Sequence, residues 1–168
     1  MAVLEILKYP DERLKTVCKP VERFDHELRA FLVELDETMR AGPGGVGIAA
    51  SQVGRFQRIC IVDVSVNPKV KKHHGELILI NPEITEWEGF KKGREGCMSV
   101  PDYTGNVMRA EKITLEYFDE YGEPCRIETD GFEARAIQHE MDHMEGMLFL
   151  DRLVSRRNDL FKRKVYKK

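Results

Sequence analysis

The sequence predicts an α+β fold in which antiparallel β-sheets pack around a central helix, with an amphipathic helix near the N-terminus and another helix at the C-terminus. Three observations predict this class. Apolar side chains recur at helical spacing in residues 25–41 and again in residues 131–145, and four β-rich runs lie between these segments. Because short polar turns join the runs, the strands are expected to pair antiparallel.

The bulk composition limits the domain organisation and the partners. A chain of 168 residues is expected to form one domain over 1–168, because roughly 100–200 residues bury a sufficient core. The 27 basic and 29 acidic residues give a net charge of −2, which argues against a whole-surface nucleic-acid binder and predicts no specific DNA partner. The N-terminus lacks a basic region followed by a long apolar run, so a cytoplasmic location without membrane contact is expected.

The first helix is predicted over residues 25–41. Its apolar positions are Leu28, Phe31, Leu32, Leu35 and Met39. Asp25 stands where an N-cap residue is expected, and "GPGGVG" ends the helix.

The segment "GPGGVGIAASQVG", residues 42–54, follows this helix. Its glycines argue against a packed strand and indicate backbone that another group approaches closely. A phosphate-binding loop is disfavoured because there is no G-K-[ST] sequence, and a tight connection between helix and sheet is the structural alternative. The amide of Gln52 could donate a hydrogen bond to a developing oxyanion.

The central helix is predicted over residues 131–145. Asp130 is its expected N-cap, Glu133 would complete a capping box, and Gly146 marks the C-terminal end. Apolar residues on both sides of "QHEMDHMEG" indicate that this helix is largely buried rather than an exposed charged turn.

The same helix carries an H-E-x-x-H pattern. His139 and His143 are four residues apart, so both can reach one metal ion from the same helix face. Glu140 turns toward the same pocket, where its carboxylate could take a proton from an attacking water and pass it to a leaving amine. A catalytic metal site usually has three protein ligands, so one ligand is missing from this pattern.

Known zinc-peptidase patterns do not supply the third ligand. The tail "FKRKVYKK" contains no acid where a gluzincin has its glutamate, and Phe149 stands where a metzincin has its last histidine. The ligand is therefore expected upstream of the helix. The upstream candidates are Cys18, Cys60, Cys97, Cys125, His26, His73 and His74. In a chain without an export signal, the four cysteines are expected to be thiols.

Sequence context favours Cys97 among these candidates. Cys60 lies in the apolar run "RICIVDV" and is explained as a core residue, while Cys18 precedes a Lys-Pro turn and Cys125 follows a proline, both without site-forming neighbours. His73 and His74 follow "KVKK" in a loop expected to be solvated. Cys97, in "GREGCMSVP", can present its thiolate to a cleft. A Cys-His-His site accommodates softer ions such as Fe(II).

Three segments together resemble the signature motifs of bacterial peptide deformylases, in order and spacing. They are "GVGIAASQ" (45–52), "EGCMS" (95–99) and "QHEMDH" (138–143), and "ILKYPDERL" and "LINPEI" extend the likeness over nearly the whole chain. Met98 and Met144 stand where the family usually has leucine, and both keep the apolar character of the position.

The resemblance implies removal of the formyl group from the N-terminal formyl-methionine of nascent polypeptides, with release of formate. It implies that Cys97, His139 and His143 hold one Fe(II), for which zinc or nickel can substitute. It further implies Glu140 as general base and acid, with Gln52 and the backbone N–H of Met98 stabilising the oxyanion.

The resemblance also implies how the substrate binds. Backbone at Val46, Gly47 and Gly96 would pair with an extended chain, as an added strand does. Phe132 and Ala136, within two turns before His139, would wall the methionine pocket. Arg135 beside them, and Thr104 and Arg109 after the cysteine motif, receive no role from the sequence.

Residues 151–168 are predicted to form a basic C-terminal helix, with Leu153, Leu160, Phe161 and Val165 as its apolar positions. Eight Lys or Arg against two Asp give this segment a net charge of +6, so the first 150 residues carry −8. Such a helix either keeps the protein soluble or, as the resemblance implies, docks on the ribosome. Two functional alternatives remain: an H-E-x-x-H metallopeptidase, and a non-catalytic metal or thiol protein that would not need Gln52 or Glu140.

Overall fold

The structure is a computed structural model that describes residues 3–42, 45–153 and 155–163. The helices are α1 (His26–Ala41), α2 (Gly131–Met144) and the single-turn α3 (Arg156–Asp159). The strands are β1 (Gly47–Ala49), β2 (Ile59–Val62), β3 (Leu77–Cys97), β4 (Val100–Phe118), β5 (Pro124–Asp130) and β6 (Leu160–Lys162). Short 3-10 helices form at Glu12–Lys15, Ala50–Val53, Val64–Val66 and Phe149–Arg152. The described part of the chain thus has the mixed helix and strand content that the sequence predicts.

All strand pairs in the described residues are antiparallel, as predicted, and they form one connected sheet rather than several. The order is β1-β2-β3-β4-β5, and β6 pairs with the start of β4. The long hairpin of β3 and β4 carries register irregularities, one of them between Glu95 and Cys97. Such an irregularity bends the strand and frees backbone from the ladder, and it lies where the cysteine motif begins.

The two long helices contact opposite sides of β2. Ile59 and Ile61 pack with α1, whereas Cys60 and Val62 pack with α2. This follows from the two-residue period of a strand, which sends successive side chains to opposite faces. The prediction that Cys60 is a core residue is confirmed by its complete burial. The sheet edge at β1 is consequently fixed between two helices.

Helix α1 begins and packs as the sequence predicts. The Asp25 carboxylate accepts a hydrogen bond of 2.9 Å from the backbone N–H of Leu28, which makes it the N-cap. Leu28, Leu32, Leu35 and Met39 are buried against the sheet.

Two local predictions are wrong. Helix α2 has no capping box, because the Glu133 carboxylate accepts hydrogen bonds from Thr129 Oγ1 and the His74 backbone N–H, and Asp130 makes no side-chain cap. The glycine-rich segment was expected to exclude a packed strand, but Gly47–Ala49 forms β1 against β2. Burying Ile48 and Ala49 outweighs the weak strand preference of the glycine beside them.

The predicted C-terminal helix over 151–168 is also wrong within the described residues. After α3 the chain extends into β6, which pairs at Leu160, Phe161 and Lys162 with Gly105, Thr104 and Tyr103 of β4. The exposed edge of β4 offers backbone hydrogen bonds that a short helix end does not, so it competes successfully with helical spacing. Val165 and the rest of 164–168 lie outside the described residues. In the part of the chain that the structure describes, no helix is long and apolar enough to span a membrane.

Candidate active site

Cys97, His139 and His143 converge at the end of β3 and on one face of α2. One ligand atom from each residue lies within 4.8 Å of the others, and all three residues are buried. Cys97 Sγ is 3.4 Å from His143 Nε2. Ligand atoms of one tetrahedral zinc or iron ion stand roughly 3.5 Å apart, given metal–ligand bonds of about 2.0–2.3 Å. The donor atoms therefore fit one metal ion, and the thiolate and two imidazoles are ligands that transition metals prefer.

His139 is oriented by a buried carboxylate. Its Nδ1 donates a hydrogen bond of 2.8 Å to Glu95 Oε1, which turns Nε2 toward Cys97 and His143. Burial alone would raise the pKa of Glu95, but hydrogen bonds from Arg109 and His139 hold it well below its ordinary value. Glu95 is thus a permanent anion that fixes the ring of His139, the arrangement that metal-binding histidines generally have.

Arg109 joins Glu95 to Asp142, and none of these three residues receives a role from the sequence. Arg109 is 4% exposed, and its guanidinium binds Glu95 through two hydrogen bonds of 2.9 Å and also binds Asp142 at 2.5 Å. Arg152 binds the other side of Asp142. In the strand "VMRAEKITL", Arg109 shares the two-residue period of Val107, Ile113 and Leu115, and an arginine in phase with apolar positions is a signal that could have suggested a buried carboxylate partner.

Glu140 lies beside the metal ligands and lines the cleft. Its Oε1 is buried without a hydrogen-bond partner among the described residues, and it is 3.9 Å from His143 Nε2. Burial raises the pKa of Glu140 to about 7. Gly47 permits this placement, because a Cβ there would lie 2.5 Å from Glu140 Oε2. The carboxylate is thus available to exchange a proton with a molecule in the cleft.

Gln52, in the 3-10 helix Ala50–Val53, contacts Cys97. Its Nε2 donates hydrogen bonds to Ser99 Oγ at 3.0 Å and to Cys97 Sγ at 3.4 Å, and its Oε1 accepts one from Ala49 N–H at 2.9 Å. The residue is 1% exposed. The amide nitrogen therefore faces the metal ligands, although both of its hydrogens already have acceptors.

The cleft above these groups has a volume of about 940 Å³. The predicted substrate-binding positions Val46, Gly47 and Gly96 line it, and so does Met98. Strand β1 has a single strand neighbour among the described residues, and Gly96 lies at the register irregularity of β3. Both edges therefore present backbone that an extended ligand could pair with.

Phe132 and Ala136 also line the cleft, together with Arg135. The Arg135 guanidinium donates to Glu95 Oε2 at 2.7 Å, to the Val107 carbonyl at 3.0 Å and to the Lys91 carbonyl at 2.5 Å. It lies against Gly93, where a Cβ would be 2.8 Å from Arg135 Cζ. Arg135 is therefore held as part of the wall, and its charge is paired with Glu95.

The other candidate ligands lie away from the centre. Cys18 and Cys60 are buried elsewhere in the core, Cys125 is on β5, and all four cysteines are thiols as predicted. His73 and His74 are both exposed in a loop, as expected, and His74 also contacts Glu133 at the start of α2. No residue besides Cys97 completes a three-ligand group with the two helix histidines in the described ranges.

Metal-dependent hydrolases place a carboxylate that can exchange a proton beside a metal site in an open cleft. This protein has that arrangement and belongs to that class. The family model described as polypeptide deformylase matches residues 3–159. The chain is a member of the polypeptide deformylase family, and the two alternative classes are not favoured.

Solved structures agree with this assignment. The chain is similar to a peptide deformylase from Legionella pneumophila, with 40% identity, a TM-score of 0.84, and coverage of 93% of this chain and 90% of that one. A peptide deformylase from Thermotoga maritima has 35% identity and a TM-score of 0.84, over 92% and 100% of the two chains. One from Ehrlichia chaffeensis in complex with actinonin has 36% identity and a TM-score of 0.86, over 94% and 92%.

Proposed function

We propose that this protein hydrolyses the formyl amide of N-terminal formyl-methionine on nascent polypeptides, releasing formate and a free amino terminus. The observation that carries the proposal is the meeting of Cys97, His139 and His143 with Glu140 beside a cleft that has open strand edges. Membership of the deformylase family supports it.

Cys97, His139 and His143 would hold one Fe(II) ion, and zinc or nickel would fit the same ligands. A divalent metal held there supplies a Lewis acid that makes water more acidic and polarises a carbonyl. Glu140 accepts the proton from the attacking water and delivers it to the leaving nitrogen as the C–N bond breaks. A carboxyl whose pKa is raised by burial is suited to both steps, since it neither keeps nor releases a proton too strongly near neutral pH.

The oxyanion on the formyl carbon would be stabilised by Gln52 and the backbone N–H of Met98. Gln52 Nε2 is 3.4 Å from Cys97 Sγ and 3.0 Å from Ser99 Oγ, so the amide would exchange one of these acceptors for the reacting carbonyl. The substrate would lie between the edges at Val46, Gly47 and Gly96, with its methionine side chain against Phe132 and Ala136.

Formate release tests the proposal. The protein is purified without oxygen, its bound metal is measured, and formate is followed with a formyl-Met peptide. We expect turnover by the wild type, loss of turnover with retained metal in Glu140→Ala, reduced turnover in Gln52→Leu, and loss of both in Cys97→Ala.

Cys125→Ala is the matched control for thiol removal, since Cys125 lies on β5 outside the cleft. It should retain both metal and turnover. Metal-loaded wild type that yields no formate would rule out the deformylase function, and casein cleavage without formate release would favour the peptidase. Full metal in Cys97→Ala would mean that another residue is the third ligand.

A second proposal concerns location and partners. A single domain over 1–168 acting in the cytoplasm would meet nascent chains at the ribosome, and the +6 charge of residues 151–168 would attract ribosomal RNA. Truncation at Leu150 would remove β6 as well, so charge reversal is the better test. Arg157→Glu with Lys162→Glu, both exposed, should weaken co-sedimentation with ribosomes at low salt. Unchanged co-sedimentation would remove the ribosome proposal.

A further inference from the structure

The exposed charges at the mouth of the cleft are positive. Lys8, Arg94 and Arg163 line it and are exposed. The acidic residues that line the same cleft are Glu95 and Glu140. Glu95 is buried and paired with Arg109 and Arg135, and Glu140 is buried beside the metal ligands. The electrostatic potential at the mouth of the cleft is therefore set by the three cationic side chains.

Arg94 is fixed by neutral partners. Its Nε donates to Asn106 Oδ1 at 3.2 Å and its Nη1 to Thr104 Oγ1 at 3.4 Å. Its Cζ lies 3.7 Å from the centre of the Phe161 ring, a cation–π contact supplied by β6. These contacts orient the guanidinium without neutralising it. They also give Thr104 a role, as an acceptor that positions Arg94.

Arg163 is brought to the cleft by the same strand. Its backbone N–H donates to the Asp102 carbonyl at 2.9 Å, and its Nη2 is 3.4 Å from the carbonyls of Cys97 and Val100. Gly96 makes this possible, because a Cβ there would lie 2.8 Å from Arg163 Nη2. Within residues 3–42, 45–153 and 155–163, no carboxylate lies within 4.0 Å of the charged nitrogens of Lys8, Arg94 or Arg163.

The positions of these cations relative to the metal ligands define what they can contact. Arg163 Nη2 lies close to the Cys97 backbone and beside Gly96, an edge where the substrate is proposed to pair. An extended chain advances roughly 3.3–3.6 Å per residue, so the residues that follow a bound methionine pass this guanidinium within a few positions.

We propose that Arg94 and Arg163 make this enzyme selective for formyl-methionyl chains with Asp or Glu among the three residues after methionine. The inference rests on the deformylase function proposed above. An exposed ion pair changes an equilibrium by a factor of up to about 5. Two such pairs predict a preference of roughly 2- to 25-fold in kcat/KM for an acidic peptide over its amide isostere.

Three formyl-Met pentapeptides of equal length test the proposal. Glu-Asp, Gln-Asn or Lys-Arg occupies positions two and three, and each peptide is amidated at the C-terminus so that no terminal carboxylate contributes charge. We expect kcat/KM to fall in the order acidic, neutral, basic. The differences should shrink at 0.5 M salt, because salt screens exposed charges.

Variants of the two arginines test whether these side chains cause the peptide selectivity. Arg163→Glu should reverse the order between acidic and basic peptides, and Arg94→Gln should reduce the preference for the acidic one. Arg126→Glu is the matched control, since Arg126 is exposed on β5 and does not line the cleft. It should keep the wild-type order. Metal content is measured in each variant, so that a loss of metal is not mistaken for a loss of selectivity.

The outcomes separate this inference from the function on which it rests. Equal kcat/KM for acidic and neutral peptides in the wild type would overturn the inference and leave the deformylase function standing. An acidic preference that persists in both Arg163→Glu and Arg94→Gln would also overturn it. Absence of formate with all three peptides would instead refute the deformylase function.

Discussion

Helices α1 and α2 have similar lengths and both pack on the sheet, yet they bury different kinds of side chain. Apart from Thr38, the buried residues of α1 are apolar. Helix α2 buries five ionisable residues, namely Glu133, His139, Glu140, Asp142 and His143. Burying a charged or strongly polar group costs free energy unless the group is paired. Helix α1 therefore stabilises the fold, whereas α2 lowers the free energy of unfolding because it holds the buried polar groups of the reactive site.

The pairing of these residues is uneven. Arg109 and Arg152 neutralise Asp142, and Glu95 orients His139. Glu140 Oε1 and His143 Nδ1, by contrast, are buried without partners among the described residues. The two residues with an unpaired atom lie at the ligand site, as does His139, whereas Asp142 and its two arginine partners do not line the cleft. We therefore expect substitutions in α1 to change stability. Substitutions in and around α2 should change turnover where the residue takes part in the reaction, and stability or metal affinity where it holds such a residue in place.

The largest effect is expected at Glu140. Glu140→Gln keeps the shape and removes the proton-accepting carboxylate, so turnover should fall by about 10²–10⁴-fold. Because no hydrogen bond to Oε1 is lost, metal content and the free energy of unfolding should stay close to wild type. Formate release and chemical denaturation measure the two quantities. Glu145→Gln, just past the end of the same helix, is the control and should leave turnover unchanged.

The next effect is expected behind the site, at Arg109. Arg109→Met leaves Glu95 and Asp142 buried without their main partner, which should cost about 3–5 kcal/mol of unfolding free energy. Metal affinity should also fall, by about 10–100-fold, because Glu95 would orient His139 less well. Denaturation and metal titration measure these losses. Arg152→Met is the control: its side chain is 47% exposed, so the loss should stay below about 1 kcal/mol. Equal losses in the two variants would contradict this view of the network.

In α1 the effect should be on stability alone. Leu35 is fully buried, so Leu35→Ala should lower the free energy of unfolding by about 2–5 kcal/mol. Turnover per folded, metal-loaded molecule should stay near wild type. Val33→Ala, at a position that is 59% exposed, is the control and should change stability by less than about 0.5 kcal/mol. A specific loss of turnover in Leu35→Ala would show that α1 contributes to the site.

The same contrast explains what could be predicted from the sequence. The helical spacing of apolar residues and the N-cap Asp25 were enough to predict α1, since local hydrogen bonds and apolar burial determine where this helix forms. The convergence of Cys97 with His139 and His143 was predictable because ligand chemistry narrows the choice of residues. The Glu95–Arg109–Asp142 network was not predictable, because it joins three elements through side chains distant in sequence. Nor was β6, where pairing with the edge of β4 overrides helical spacing.

The smallest effect is expected at the N-cap residues of the two helices, Asp25 and Asp130. It tests whether each helix depends on its N-cap for stability. Asp25→Ala removes a carboxylate that accepts a hydrogen bond from Leu28 N–H, and should cost about 1 kcal/mol of unfolding free energy. Asp130→Ala removes the corresponding residue of α2, which makes no cap bond and has only an ion pair with Lys72, whose side chain is 82% exposed. Its cost should be near zero. Chemical denaturation of both variants measures the difference, and a larger loss for Asp130→Ala would mean that α2 depends on its N-cap as α1 does.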